Sequence, residues 1–281
     1  MNSGIPALGV GIGWRNEIAG EILANREHID FVEIISEHYL NVAPEKLASV
    51  STLAAKLPVI PHGIDLSIGT DTPVEEEYLD GLATLVNLVD APWYSDHLCF
   101  TRVPGYSIGQ LTPLQFTDEA VETVVRKTKL VTERIPRPFA LENITYYFAI
   151  PKGQMTEAEF ITRVLEGADI GLLLDVTNVF INASNHGFDP YKFLRSIPLE
   201  RVVQLHLAGG IQKEGKWVDT HNQPVPEEVF ELTDFIVANA PVKGVLLERD
   251  ENFPVSFQDL TDELARMRAI FRKYNPHAAV A

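Results

Sequence analysis

Eight short apolar runs, each followed by a longer amphipathic stretch, pace this chain from residue 8 to residue 248. The runs are Leu8–Ile12, Phe31–Ile35, Val59–His62, Trp93–Leu98, Phe139–Asn143, Ile170–Asp175, Val202–Leu207 and Val245–Glu248. Runs of this length read as strands, and the stretches between them carry helical periodicity. Those stretches begin with EIAGEILANREH after the first run and end with SFQDLTDELARMRAIFRKY, and PYKFLRSI is taken as the sixth. Many runs are apolar at successive positions, as a parallel sheet covered by helices on its outer face requires. Eight strand–helix units predict an α/β fold, a (β/α)8 TIM barrel formed as a single domain over residues 1–274. The remaining residues, 275–281, read as a flexible tail. Thr117-Asp118-Glu119 and Pro226-Glu227-Glu228 supply helix starts, with a capping hydroxyl in one and a proline lacking its N–H in the other. The longest loops, 99–117 and 209–226, are expected to be functional.

Polar residues close most of these runs. His62 ends the third, Asp96 and His97 the fourth, Glu142 the fifth and Asp175 the sixth; His206 lies in the seventh and Glu248 closes the eighth. A barrel gathers the C-terminal ends of its strands at one mouth. Side chains scattered from 62 to 248 would therefore share one cavity. So many carboxylates would repel one another and lose solvation unless cations held them. Imidazoles beside carboxylates suit Fe, Mn or Zn. The ligand number exceeds what one ion needs, so at least two metals are expected, with Glu142 as a bridge. Asp219 and His221, in DTH after the seventh run, add two ligands on alternate residues that face one way if the segment is extended. Gly209-Gly210 lets the backbone approach the site. Glu33, Glu37 and His38, at and after the second run, are candidates either to back the ligands or to contact substrate. Arg15 is read either as a substrate-carboxylate partner or as a surface ion pair.

Charge and cysteine content narrow the function. Lys+Arg 23 against Asp+Glu 39 leaves a net charge of −16, which repels phosphate backbones and anionic lipid, so neither nucleic acid nor membrane is expected as a partner. The single cysteine, Cys99, fits a reducing cytoplasm. No secretory signal or spanning segment is legible at the N-terminus or elsewhere.

The pieces GVGIGWR, FVEIISEHY, PHGIDLSIG, YSDHLCF, LENITYY, LLLDVTNVFINA, HLAGG, DTHNQPVPEEV and LERDENFP, in this order, resemble the DUF692 family. These proteins are the multinuclear non-heme iron-dependent oxidases, among them the methanobactin and thiaglutamate pathway enzymes. The resemblance implies a TIM barrel holding two or three iron ions, Fe2+ or Fe3+, with O2 as co-substrate. It carries the metal positions onto His62, Asp96, His97, Glu142, Asp175, His206, Asp219, His221 and Glu248. Asn143 and Asn178 match as well, as possible ligands or as residues behind the ligands. The implied activity is oxidation of a residue, Cys or another, in a ribosomally synthesised precursor peptide, with a small leader-binding protein as a possible partner. Asp219 and His221 are the expected proton relay. One departure concerns Gly210, where many relatives read HLAGH, and it leaves the modified residue open. The alternative from strand-end ligands alone is a xylose-isomerase-like divalent-metal isomerase or hydrolase acting on a small polar substrate.

Overall fold

The first strand, β1 (Gly9–Gly13), shows how the barrel is built. Its sequence GVGIG alternates glycine with Val10 and Ile12, which pack into the large apolar cluster of the molecule. The glycines take the other face because the barrel interior is crowded there. A Cβ on Gly11 would lie 2.7 Å from the Phe31 ring, and one on Gly244 would lie 3.0 Å from it. Phe31 fills the floor of the barrel with Ile5, Ile60, Trp93, Val203 and Leu246.

The computed structural model describes residues 4–148 and 151–276. After β1 come β2 (Phe31–Ile35), β3 (Val59–His62), β4 (Tyr94–His97), β5 (Phe139–Glu142), β6 (Gly171–Asp175), β7 (Val202–Leu207) and β8 (Gly244–Leu247). All eight expected strands are present, within a residue or so of the expected ends. They pair in parallel in the order β1-β2-β3-β4-β5-β6-β7-β8, and β8 closes on β1 through Gly9–Gly244 to Ile12–Leu247. The helices are α1 (Ala19–Ala24), α2 (Pro44–Ala54), α3 (Glu76–Leu88), α4 (Asp118–Arg134), α5 (Glu157–Ala168), α6 (Val176–His186), α7 (Pro190–Ser196), α8 (Glu227–Asn239) and α9 (Gln258–Tyr274). Thr117 caps α4 as expected, its side chain accepting from the Ala120 amide.

Three details differ from the sequence-based expectation. The helix directly after the sixth strand is α6, and PYKFLRSI forms an additional short helix, α7, behind it. Residues 176–183 of α6 are all buried, so the segment lacks the polar face that reveals a helix in sequence. The two long loops carry hairpins, Phe100–Val103 with Tyr106–Thr112, and Ile211–Lys213 with Lys216–Val218. The ladder between β6 and β7 shifts register between Leu172↔Val202 and Leu173↔Gln204. The extra residue reverses the alternation of β7, so that Val203 packs inside with Trp93 while Leu205 and Leu207 join the outer cluster. Of the expected tail, residues 277–281 lie outside the described residues. Among the described residues no helix is long and apolar enough to cross a membrane.

Candidate metal centre

Alternation along each strand decides which polar residues meet. His62, His97, Glu142, Asp175 and His206 turn inward at the C-terminal ends of β3 to β7, and Glu248 follows β8 directly. Each is at most 9% exposed. Three overlapping groups have ligand atoms within 4.8 Å of one another: His62, His97 and Glu142; Glu142, Asp175, His206 and Glu248; and His221, Glu248 and Asp250. Glu142 and Glu248 each belong to two groups, which is the geometry of bridging carboxylates.

The first group is held from behind. His97 Nδ1 donates to the Gly63 carbonyl at 3.0 Å, which leaves Nε2 as the ring's lone pair. His62 Nδ1 pairs with the Ser95 hydroxyl at 2.9 Å. Both Nε2 atoms converge on Glu142 Oε2, at 3.2 and 3.4 Å. Burial, then the neighbouring His97 and His206 rings, push the His62 pKa well below its usual value, so the ring is neutral, as a ligand must be.

In the second group His206 turns the other nitrogen inward. Its Nδ1 lies 3.5 Å from Glu142 Oε1 and 3.1 Å from Glu248 Oε2, while Nε2 lies 3.0 Å from Glu33 Oε1. Asp175 Oδ1 caps α6 by accepting from the Asn178 amide at 2.6 Å, and Oδ2 is left without a partner. Burial and then the Glu142 charge raise the Asp175 pKa well above the usual carboxylate range. For Glu248, burial works against ionisation, but His221 and His206 outweigh it and hold the carboxyl well below its usual value.

The third group sits nearer solvent. His221 Nδ1 lies 3.5 Å from Glu248 Oε2 and 3.3 Å from Asp250 Oδ2, and Nε2 meets Asp219 Oδ1 at 2.7 Å. The DTH segment is not extended: His221 has φ 49°, a left-handed turn that brings the ring back onto Asp219. A non-glycine residue in that region costs roughly 1 kcal/mol and clusters at functional sites. Arg15 binds Asp250 Oδ1 through Nε at 3.1 Å and approaches Glu248 at 3.8 Å, so it is an ion-pair partner at the rim.

Two expected ligands stand elsewhere. Asp96 and His97 are adjacent on β4 and therefore face opposite sides of the sheet. Asp96 points outward, accepting from the Leu66 amide at 3.3 Å and the Tyr78 hydroxyl at 3.4 Å. Asp219 backs the His221 ring and belongs to none of the three groups. Asn143 and Asn178 act as staples. Asn143 takes the Asp175 amide on Oδ1 and donates to the Asp175 carbonyl from Nδ2, at 2.9 and 3.0 Å. Asn178 donates to the Asn143 carbonyl at 3.0 Å. Asp250 was overlooked, although LERD repeats at Glu248 and Asp250 the alternate-residue signal seen in DTH. Ser95 and Gln204 were also overlooked, since neither is a recognisable ligand type.

The fit to metal rests on the unpaired atoms. Among the described residues nine buried side-chain N or O atoms lack a hydrogen-bond partner, and three of them lie within the inner two groups: Glu142 Oε2, Asp175 Oδ2 and His206 Nδ1. Buried polar atoms without partners are costly, and lone pairs converging on one space are what a cation satisfies. The nitrogen and oxygen donor set matches Fe, Mn or Zn.

Solved structures with this fold include a D-tagatose 3-epimerase-like protein (TM-score 0.62, 13% identity, covering 96% of this chain and 100% of that one). Another is the 3-keto-D-glucoside 4-epimerase of E. coli (TM-score 0.59, 17% identity, 93% and 99% covered). At these identities the likeness is one of fold. Closer in sequence are UPF0276 proteins of Anaeromyxobacter, 40% identical over 247 residues (88% of this chain, 87% of the relative), and of Caulobacter vibrioides, 36% identical over 265 residues (94% of each). Residues 9–272 match the model of the family described as RiPP precursor modification enzyme MbnB/TglH/ChrH. The strand-end centre thus sits on a chain that belongs to the MbnB/TglH/ChrH family of precursor-modifying enzymes, the DUF692 proteins.

Proposed function

We propose that this protein is an O2-dependent, multinuclear non-heme iron oxidase that modifies a residue, Cys or another, of a ribosomally synthesised precursor peptide in the cytoplasm. The observation that carries the reading is the set of three buried ligand atoms without a hydrogen-bond partner, Glu142 Oε2, Asp175 Oδ2 and His206 Nδ1, at the strand ends of a family member. His62, His97 and Glu142 would hold one ion, and Glu142, Asp175, His206 and Glu248 a second. His221, Glu248 and Asp250 offer a third position. Bound iron would supply an open position for O2 and the one-electron chemistry that C–H oxidation needs.

The chain's own residues provide the setting. The barrel walls keep bulk water from the inner two groups. Asp219 and His221, in contact at 2.7 Å and partly exposed, can pass a proton between the centre and solvent. A peptide-sized substrate accords with the surface around the mouth. Six of the eight exposed large apolar side chains among the described residues lie on loops after the strands: Ile64, Val103, Tyr106, Tyr147, Phe148 and Val255. Apolar side chains exposed on these loops are available to contact a peptide. A small leader-binding protein is a further proposed partner, and such loops would serve it equally well.

The test is anaerobic metal analysis of the purified protein, followed by O2 uptake with the precursor peptide encoded beside its gene. Two or three irons per chain, visible absorption and peptide-dependent O2 consumption are expected. Zinc alone with no O2 uptake would overturn the proposal and favour Lewis-acid chemistry.

A further inference from the structure

Helix α6 carries three asparagines, Asn178, Asn182 and Asn185, spaced four and three residues apart and so set along one face. Asparagine is a poor choice inside a helix, because its amide competes for backbone groups. Here each amide holds the backbone of a loop that follows a strand. Asn178 donates to the Asn143 carbonyl, and Asn182 donates to the Ile144 carbonyl and accepts from the Tyr146 amide, all at 3.0 Å. Asn185 reaches the loop after β7 instead. It accepts from the Trp217 amide at 2.9 Å and donates to the Trp217 carbonyl at 2.8 Å. A backbone N–H only donates and a carbonyl only accepts, so both partners fix which way the Asn185 amide is turned.

The hairpin is built to offer those two groups. Its turn residues, Glu214 and Gly215, have φ 52° and 78°, the left-handed pair that suits a two-residue connection. Lys213 and Lys216 flank the turn as the hydrogen-bonded pair, and Gln212–Trp217 is the next, non-bonded pair. The Trp217 amide and carbonyl therefore turn away from the partner strand and toward α6, where the indole also packs edge-on against Phe180 with centroids 5.0 Å apart. Among the described residues, the two Asn185 bonds are the hydrogen bonds that join residues 211–218 to the rest of the chain. Asp219-Thr220-His221 follows at once, and the Asn222 and Gln223 amides then return to the Gly209 carbonyl at 3.2 and 3.3 Å. The left-handed His221 thus lies between one anchor on α6 and another at the end of β7. Strained backbone of this kind persists only where its surroundings over-determine it.

We propose that Asn185 is a positioning residue for the outer group: by clamping Trp217 it holds the His221 turn, and with it the ring that faces Glu248 and Asp250. Asp175 caps the same helix, so α6 fixes the outer group relative to the inner ones. Released from the clamp, His221 relaxes to ordinary backbone angles and its ring leaves both carboxylates.

The proposal rests on the metal reading only in its binding arm, so two measurements separate them. Amide hydrogen exchange of the full chain as purified, read by mass spectrometry in overlapping fragments, reports the clamp and the turn. In Asn185→Ala the Trp217 amide should exchange about tenfold faster, and the Asn222 and Gln223 amides should speed up with it while the barrel strands stay protected. Asn185→Asp keeps an acceptor for the Trp217 amide and should show a smaller change. Zinc binding against a competing chelator should show one equivalent weakened about tenfold in Asn185→Ala, with the inner two retained. A change confined to Trp217, with Asn222, Gln223 and zinc binding unmoved, makes the clamp merely local and overturns the proposal. If Asn185→Ala does not fold, the wild type and Asn185→Asp decide it: a wild-type Trp217 amide that exchanges as freely as that of Glu214 overturns the proposal. A wild type that binds no zinc counts against the metal centre, and the exchange of Asn222 and Gln223 still decides the role of Asn185.

Discussion

Asp96 and His97 are neighbours in sequence with unrelated surroundings. One faces the Leu66 amide and Tyr78, the other the Gly63 carbonyl and Glu142. Strand alternation separates them, and the motif SDH alone does not tell which of the two turns inward. Asp175 shows the complementary case, a single carboxylate with one oxygen spent on a helix cap and the other aimed at the centre. Its raised pKa means that burial and Glu142 make its charge unfavourable in the metal-free fold. An acid whose folded pKa is raised withdraws stability above its unfolded value, because the folded state then binds more protons. Asp175→Asn keeps the capping oxygen and removes the charge. At neutral pH the metal-free variant should therefore be more stable than the wild type, by about 1–3 kcal/mol, while the metal-loaded variant should be less stable. Urea unfolding with and without chelator measures both. A metal-free Asp175→Asn protein weaker than the wild type would remove the electrostatic basis of the centre.

Elements were legible where their periodicity was clean. The eight strands were found from apolar runs, and α4 from its cap and first-turn acids. The helix α6 escaped notice because burial on all sides erases the periodicity that identifies a helix. The hairpin at 211–218 also depends on a contact that sequence does not display. A Cβ on Gly210 would lie 2.5 Å from the Val218 carbonyl, so the hairpin closes over a residue that has none. Gly210→His should lift the hairpin from the barrel while leaving the strands intact. Limited trypsin digestion would detect this as faster cleavage after Lys213 and Lys216, with unchanged unfolding of the barrel. Equal cleavage rates would show that the hairpin tolerates the larger side chain.

Across the whole molecule, the net charge of −16 is partly concentrated at the mouth and partly dispersed over paired surface residues such as Arg163 with Asp118 and Arg137 with Asp90. Away from the centre, Glu157 begins α5 and its carboxyl accepts from the Tyr146 hydroxyl at 2.9 Å. Burial raises its pKa to about 7, partly offset by that hydrogen bond. The sign follows as for Asp175: its ionisation destabilises the fold progressively from the ordinary glutamate range up to about pH 7. Glu157→Gln should gain melting temperature relative to the wild type as pH rises from 5 to 8, with the difference levelling off above that. A difference independent of pH would place the Glu157 carboxyl in solvent.

The chain by itself determined the barrel, because strand and helix periodicities are local and eight repetitions leave one closed topology. It also determined that strand-end imidazoles and carboxylates share a mouth, since every parallel barrel strand ends there. Only the tertiary structure decided which of them meet, because that depends on alternation, on one extra residue in β7 and on the left-handed turn at His221. Only it decided that Asn143, Gln204 and Trp93 hold the others in place. A hydrogen bond between residues a hundred positions apart leaves no trace in local sequence.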